Sequence, residues 1–268
     1  SSIRQLSELA RYKQAAYVIP FSSKDVASSL SGRIYQVNTP AALLYDQAAE
    51  RFMQTYGSYH VLFVRPISGE EESPFVLALQ NRLRLAGTSY SECASSDFVS
   101  GEDVSRQSLG HLRVVVVPTS SSLSAARQVL SAIDSAQEGL GDSSVVTAFG
   151  YPEWQTYASS LGRQMYRAEA TFFTTFFIYP RDRAYQRFSA DYMKWFGHGT
   201  GNTFPRYSAL GYDTGSYFLG KNEASDTAYK GVQSLLDFGK SAPVKSGTRS
   251  NQGVFLVRYN KDNSVSRF

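Results

Sequence analysis

Residues Leu112 to Val117 read Leu-Arg-Val-Val-Val-Val, an unbroken β-branched run with no polar residue after Arg113. Such a run suits a strand buried on both faces, and strands of that kind belong to parallel sheets covered by helices. Two more runs share this character, Tyr59 to Val64 (YHVLFV) and Ser144 to Ala148 (SVVTA), with shorter ones at Ala15 to Pro20 and Ile34 to Val37. Between and after them the apolar spacing changes to a helical period over 41–56, 74–86, 123–136, 155–165, 182–196, 207–219 and 227–238. Thr88 to Glu92 reads as an edge strand, 170–179 as extended and Gly253 to Tyr259 as a late strand, while 3–14 carries a helical pattern. Thr39 with Pro40 marks one helix start, and Gly57 and Gly87 mark helix ends.

Strand, helix and short loop therefore alternate through the middle of the chain. Right-handed crossovers then predict that 59–64, 112–117 and 144–148 are adjacent parallel strands flanked by helices 41–56, 74–86 and 123–136. The expected fold class is α/β, with parallel sheets flanked by helices on both faces.

The remaining composition narrows the function. The net charge of +4 is mild and no Lys/Arg stripe is present, so no nucleic-acid footprint is read. Cys93 is the sole cysteine, which excludes an internal disulfide and a cysteine metal site. No apolar run has the length of a membrane span, and no signal peptide opens the chain at Ser1, which reads as the start of a processed or cut product. His60, His111 and His198 are separated in sequence and lack metal-ligand spacing. The glycine-rich stretch 197–202 does not run from a strand into a helix, and no GxSxG elbow gives the many serines a hydrolase setting. No cofactor, metal or catalytic residue is expected. The 18 Tyr and 17 Phe serve a core or a ligand-contacting surface equally well.

Open parallel sheets bind ligands beyond the carboxyl ends of their strands. Those ends carry Phe21-Ser22-Ser23, Arg65 to Glu72, Pro118 to Ser122 and Phe149 to Trp154. They offer hydroxyls and loop amides to an anion, and Glu70, Glu71 or Glu153 to a cation. Wet surface loops are polar for their own reasons, so the residue types alone leave both readings open.

The order of YVIPFSS, IYQVNTP before a long helix, YGSYHVLFV, LRLAG, VVVVPTSS, VVTAFGYPEW, YPRDRAYQRFSADYMKWFG and YSALGYDTGSYFL is distinctive. From Tyr17 to Tyr217 it resembles the type I periplasmic binding proteins of the branched-chain amino-acid type, Gly211-Tyr212-Asp213 matching a helix that returns the chain to the first lobe. It looks especially like Bacteroidetes binding-protein-like domains that carry a LysM module upstream, though this chain has no such module. The resemblance implies two lobes, lobe 1 from 1–39 and 180–248 and lobe 2 from 40–179 and 249–268. Lobe 1 is then incomplete, to be made good by an upstream segment, by a homodimer or by rearrangement. It also implies a non-catalytic, envelope-associated solute-binding protein, holding an amino acid or a wall-derived (peptidoglycan) fragment in the interlobe cleft, with a membrane transporter as a further partner. The location is periplasm or cell envelope. By position Ser22 and Ser23 match residues that hold a ligand carboxylate, and Tyr151 or Glu153 falls where an ammonium is held. Glu70, Glu71, Ser120 and Ser121 fall near positions the family fills with aromatics, and that departure keeps open an alternative, a structural protein of the envelope without a pocket.

Overall fold

The computed structural model describes Gln5, Glu8, residues 16–22, Lys24, and residues 33–65, 70–94, 99–139, 144–220, 227–239 and 249–268. The chain divides into two compact units, the first from Ser1–Gln47 and Thr175–Phe255, the second from Ala48–Thr174 and Leu256–Phe268.

The second unit is built on a seven-stranded sheet. Its parallel centre is β3 (His60–Arg65), β4 (Tyr90–Ala94), β5 (Arg113–Pro118), β6 (Val145–Gly150) and β7 (Thr171–Thr174). With β11 (Phe255–Tyr259) and β12 (Val265–Arg267) the spatial order is β12-β11-β7-β6-β5-β3-β4. β3 pairs parallel with β5, and β5 with β6, as the apolar runs predict; Leu62 lies opposite Val116 and Val115 opposite Thr147. β4 is the edge strand read from sequence, and β12 closes the other edge antiparallel to β11. Val61 to Val64 and Val114 to Val117 are buried throughout, which is what a strand covered on both faces requires.

The connecting helices are α1 (Ala41–Tyr56), α2 (Pro74–Leu85), α3 (Gly101–Ser108), α4 (Leu123–Gly139) and α5 (Trp154–Arg167). Ser73 caps α2 with Pro74 at the first position. Thr39 does not act as the predicted cap of α1, its buried hydroxyl making no hydrogen bond. α3 has no apolar stripe strong enough to read from sequence; a reciprocal capping box between Ser100 and Asp103 starts it. Behind the sheet lies an aromatic core. Phe149 packs edge-on to Phe52 at 4.8 Å and stacks with Phe75 at 5.6 Å, and Phe75 meets Phe173 at 4.8 Å.

The first unit holds a three-stranded parallel sheet, β1 (Tyr17–Ile19), β2 (Ile34–Gln36) and β10 (Arg249–Ser250), with β2 in the middle. Helices α6 (Arg183–Phe196) and α7 (Tyr207–Leu219) belong to it. Tyr35, Val37, Leu210, Tyr217, Leu236 and Phe238 form one core cluster, and Tyr185, Phe188, Ala209 and Val232 another. The expected helix over 227–238 is instead an antiparallel pair, β8 (Tyr229–Lys230) and β9 (Leu235–Leu236). The cause is distant in sequence. The Asp213 carboxyl on α7 accepts the amides of Val232, Gln233 and Ser234 at 2.7, 2.9 and 2.8 Å, three donors a helix would have turned inward. Only Gln5 and Glu8 of the expected first helix are described, both helical; the rest of 3–14 lies outside the described residues. Among the described residues no helix is long and apolar enough to cross a membrane.

At the amino ends of β3 and β5, His60 and His111 stack with ring centroids 3.8 Å apart and planes 5° from parallel, so the fold joins two of the three histidines that sequence separates. His60 Nε2 also meets Ser91 Oγ at 2.9 Å. Burial, and then the neighbouring His111, hold the His60 pKa below the ordinary 6.5. The unfolded chain therefore takes up this proton more readily than the folded one. Its contribution to stability is full above that ordinary value and is lost as pH falls below it. The thermal midpoint of the wild type is expected to drop between about pH 7 and about pH 5, and His60→Gln with His111→Gln to flatten that part of the profile. An unchanged slope in the double variant would show that other groups set it.

Candidate functional site

The carboxyl ends of β3, β5 and β6 carry a polar group of side chains held by backbone ties between neighbouring loops. Thr119 N donates to Val64 O at 2.8 Å and Ser73 N to Thr119 O at 2.7 Å, which locks the loop after β5 against the one after β3. On this frame Ser122 Oγ donates to Glu70 Oε2 at 2.8 Å. The same oxygen accepts Ala125 N at the start of α4, and Ser120 Oγ accepts Ser122 N. Ser120 is thereby buried as a turn-forming residue, while Ser121 presents its carbonyl to Tyr157 OH at 3.2 Å.

The loop after β6 supplies the rest. Tyr151 is only 1% exposed and its hydroxyl donates to Pro118 O at 2.5 Å, so it braces the β5 loop from beneath. Glu153 stands at the amino end of α5, exposed, with no capping bond from its side chain. One turn on, the half-buried Tyr157 has its phenol pKa pushed up, first by burial and then by the carboxylates of Glu153 and Glu70. Glu71 is exposed and makes no contact of this kind among the described residues, while Glu72 turns to Arg65 at 3.8 Å. Ser122 belongs to the loop 118–122 read from sequence as a strand end, though not singled out there; Tyr157 was missed, and the i, i+4 spacing from Glu153 was the available signal for it.

In the first unit, Ser22 follows β1. Gln36, fully buried on β2, donates to Ser22 O at 2.8 Å and to Lys24 O at 2.7 Å, which fixes the course of this loop. Ser23 lies outside the described residues. Beside this loop, at the carboxyl ends of β1 and β2, is a cavity of about 410 Å³. Pro20 and Phe21 line it after β1, Val37 and Asn38 after β2, with Phe176 and Tyr207 also in its wall, and among the described residues no charged side chain contributes. Phe21 and Tyr207 meet edge to face at 5.4 Å. Cavities of a few hundred Å³ with mostly apolar walls and few polar groups are typical of small-molecule sites.

The two settings differ in chemistry. The second unit offers carboxylates, hydroxyls and a phenol suited to an ammonium-bearing group; the first offers apolar walls. Among the described residues no group of three or more His, Cys, Asp or Glu side chains is placed to hold a metal ion.

No protein-family model matches the chain, and no curated protein matches it. Solved structures do. A putative branched-chain amino acid ABC transporter protein from Rhodospirillum rubrum superposes with a TM-score of 0.58 at 12% identity, over 99% of this chain and 76% of that one. An ABC transporter substrate-binding protein from Desulfitobacterium hafniense, solved in complex with Leu, gives 0.51 at 14% identity over the same shares. A branched chain amino acid ABC transporter periplasmic ligand-binding protein from Burkholderia xenovorans gives 0.53 at 13%, covering 98% of this chain and 72% of that one. At these identities the likeness establishes architecture: the mostly parallel α/β fold is that of the type I periplasmic binding proteins.

Proposed function

We propose that this chain is a non-catalytic solute-binding protein of the periplasm or cell envelope, working with a membrane transporter. Its ligand is a small polar molecule bearing an ammonium group, an amino acid or a wall-derived peptide fragment. What supports this reading is that Ser122 bonds to Glu70 and Tyr157 to the Ser121 carbonyl beyond the carboxyl ends of adjacent parallel strands, where folds of this kind take their ligands. In the proposal Glu153, with Glu70 beside it, receives the ammonium, and Ser121 and Ser120 shape the loop that meets it. Tyr151 acts as the brace beneath, and Glu71 adds negative potential. The kinship to wall-associated Bacteroidetes domains suggested by the sequence makes a muramyl peptide the second ligand to try.

A thermal-shift and calorimetry screen with the amino acids and with muramyl dipeptide tests the reading. A ligand present at a hundred times its Kd adds about 2.7 kcal/mol of stability and must raise the melting temperature. With the ligand found, Glu153→Gln is expected to weaken an ammonium-bearing one by about 1.5–3 kcal/mol, the scale of a hydrogen bond to a charged group. No shift with any of these compounds would overturn this reading.

A further inference from the structure

The cavity of the first unit is framed by buried amide side chains. Gln36, fully buried on β2, spends its Nε2 on the loop that carries Phe21, donating to Ser22 O and Lys24 O. Gln233, only 1% exposed, does the same for Tyr207, the first residue of α7. Its Oε1 accepts Arg206 N at 2.8 Å and its Nε2 donates to Arg206 O at 3.3 Å, which fixes the backbone just ahead of that ring. Asn251, in the cavity wall, accepts the amides of Asp237 and Gly253 at 2.8 and 2.9 Å and donates to Leu235 O at 3.0 Å. A buried amide side chain is costly unless it is bonded. Here three of them are bonded to the backbone around one cavity, so its walls are set before any ligand arrives.

What they frame is apolar and uncharged. Every residue lining the cavity belongs to the first unit. Its volume of about 410 Å³ lies toward the lower end of the range for small-molecule sites, room for one small ligand. Val37 and Leu210 give it a buried apolar wall. Phe21 and Tyr207, which pack edge to face, are 64% and 56% exposed. Two large rings that line a cavity and also face water stand at its mouth, and exposed apolar groups in that position mark a ligand groove. Asn38 is half-buried in the wall, and its side chain makes no hydrogen bond among the described residues, which leaves it a donor and an acceptor for a ligand. A carboxylate or ammonium entering here would give up its water and meet no opposite charge among the described residues, an unfavourable exchange. Ser22 does not line the cavity, and its hydroxyl donates to Lys24 O at 3.3 Å.

We propose that this cavity is a second binding site, for an uncharged small molecule with an aromatic or branched apolar body and one polar group that Asn38 meets. It lies within the first unit and does not rest on the ammonium site of the second.

Two dyes with the same rings test the charge rule directly. N-phenyl-1-naphthylamine is neutral, and 8-anilinonaphthalene-1-sulfonate adds one sulfonate to it. Each is titrated into the intact protein and followed by its emission. The expected result is saturable, one-site binding of the neutral dye, with the sulfonate binding roughly tenfold or more weaker because its charge finds no partner. Phe21→Ala and Tyr207→Ala should each weaken the neutral dye roughly two- to tenfold, the worth of an aromatic contact, and the exposure of both rings should leave the melting temperature near that of the wild type. Trp195 and Phe196, exposed at the end of α6, form no part of this cavity, so Trp195→Ala with Phe196→Ala should leave dye affinity unchanged. Four results would overturn the proposal: no saturable binding of the neutral dye, equal affinity for the two dyes, unchanged affinity when Phe21→Ala and Tyr207→Ala are combined, or loss of binding in the Trp195 and Phe196 variant. The last would place the dye on the end of α6 instead.

Discussion

Replacing Asp213 with alanine is expected to lower stability by roughly 3–5 kcal/mol, because a buried amide left without its acceptor costs about 1–3 kcal/mol and three lose it together. Asp213 is fully buried, and its carboxyl is the acceptor for Val232, Gln233 and Ser234. Burial pushes its pKa above the ordinary carboxyl value while the three amides and the Ser234 side chain pull it down, so the site balances a desolvated acid against the donors gathered round it. The clamp leaves no spare room. A Cβ placed on Gly231 would lie 2.3 Å from Asp213 Cγ. Gly231→Ala should therefore destabilise through displacement of the same carboxyl, with the acceptor still present. Hydrogen exchange gives the direct reading. In Asp213→Ala the amides of residues 232–234 should lose protection well before those of β3 and β5. Retained protection at those three positions would refute the clamp.

Phe149→Ala should cost about 3–5 kcal/mol, the range for removing a buried aromatic side chain from a packed core. Phe149 is fully buried and meets the rings of Phe52, Tyr56, Phe75 and Phe173, so its loss opens a cavity that four neighbours share. Phe149→Leu keeps most of the volume and should cost much less. Denaturant melts followed by Trp154 emission measure both, since Trp154 is buried in the same unit. Equal midpoints for the alanine and leucine variants would mean that the neighbouring rings close over the gap.

These two residues also show what the sequence does and does not disclose. Local pattern is enough to place the run 144–148 beside its neighbours in a parallel sheet, but Phe149, which reads as the first residue of the following loop, stands instead inside β6 and in the core. The β8–β9 pair could not be read that way. Tyr229, Val232, Leu235 and Leu236 have helical spacing, and the decision against a helix comes from a carboxyl about twenty residues away. The candidate site divides similarly. Glu70 and Glu153 were legible as acids on carboxyl-end loops. Tyr151 looked equally available, and only the fold shows its hydroxyl turned down onto Pro118. Conversely Tyr157 was hidden inside an ordinary helical pattern, and the histidine stack joined residues fifty apart in the chain.

Both units are assembled from separated stretches of sequence, with the chain passing between them at 47/48, 174/175 and 255/256. A chain emerging from the ribosome has therefore completed most of the second unit while β1 and β2 still lack β10 and the helices α6 and α7. Their bare edges are open to wrong pairing throughout that interval. Residues 256–268 supply β12 and nearly all of β11 beside β7, so until they are made the β7 edge of that sheet stays uncovered. Any attempt to express one unit alone must splice two stretches of the gene, since no single cut releases either one whole.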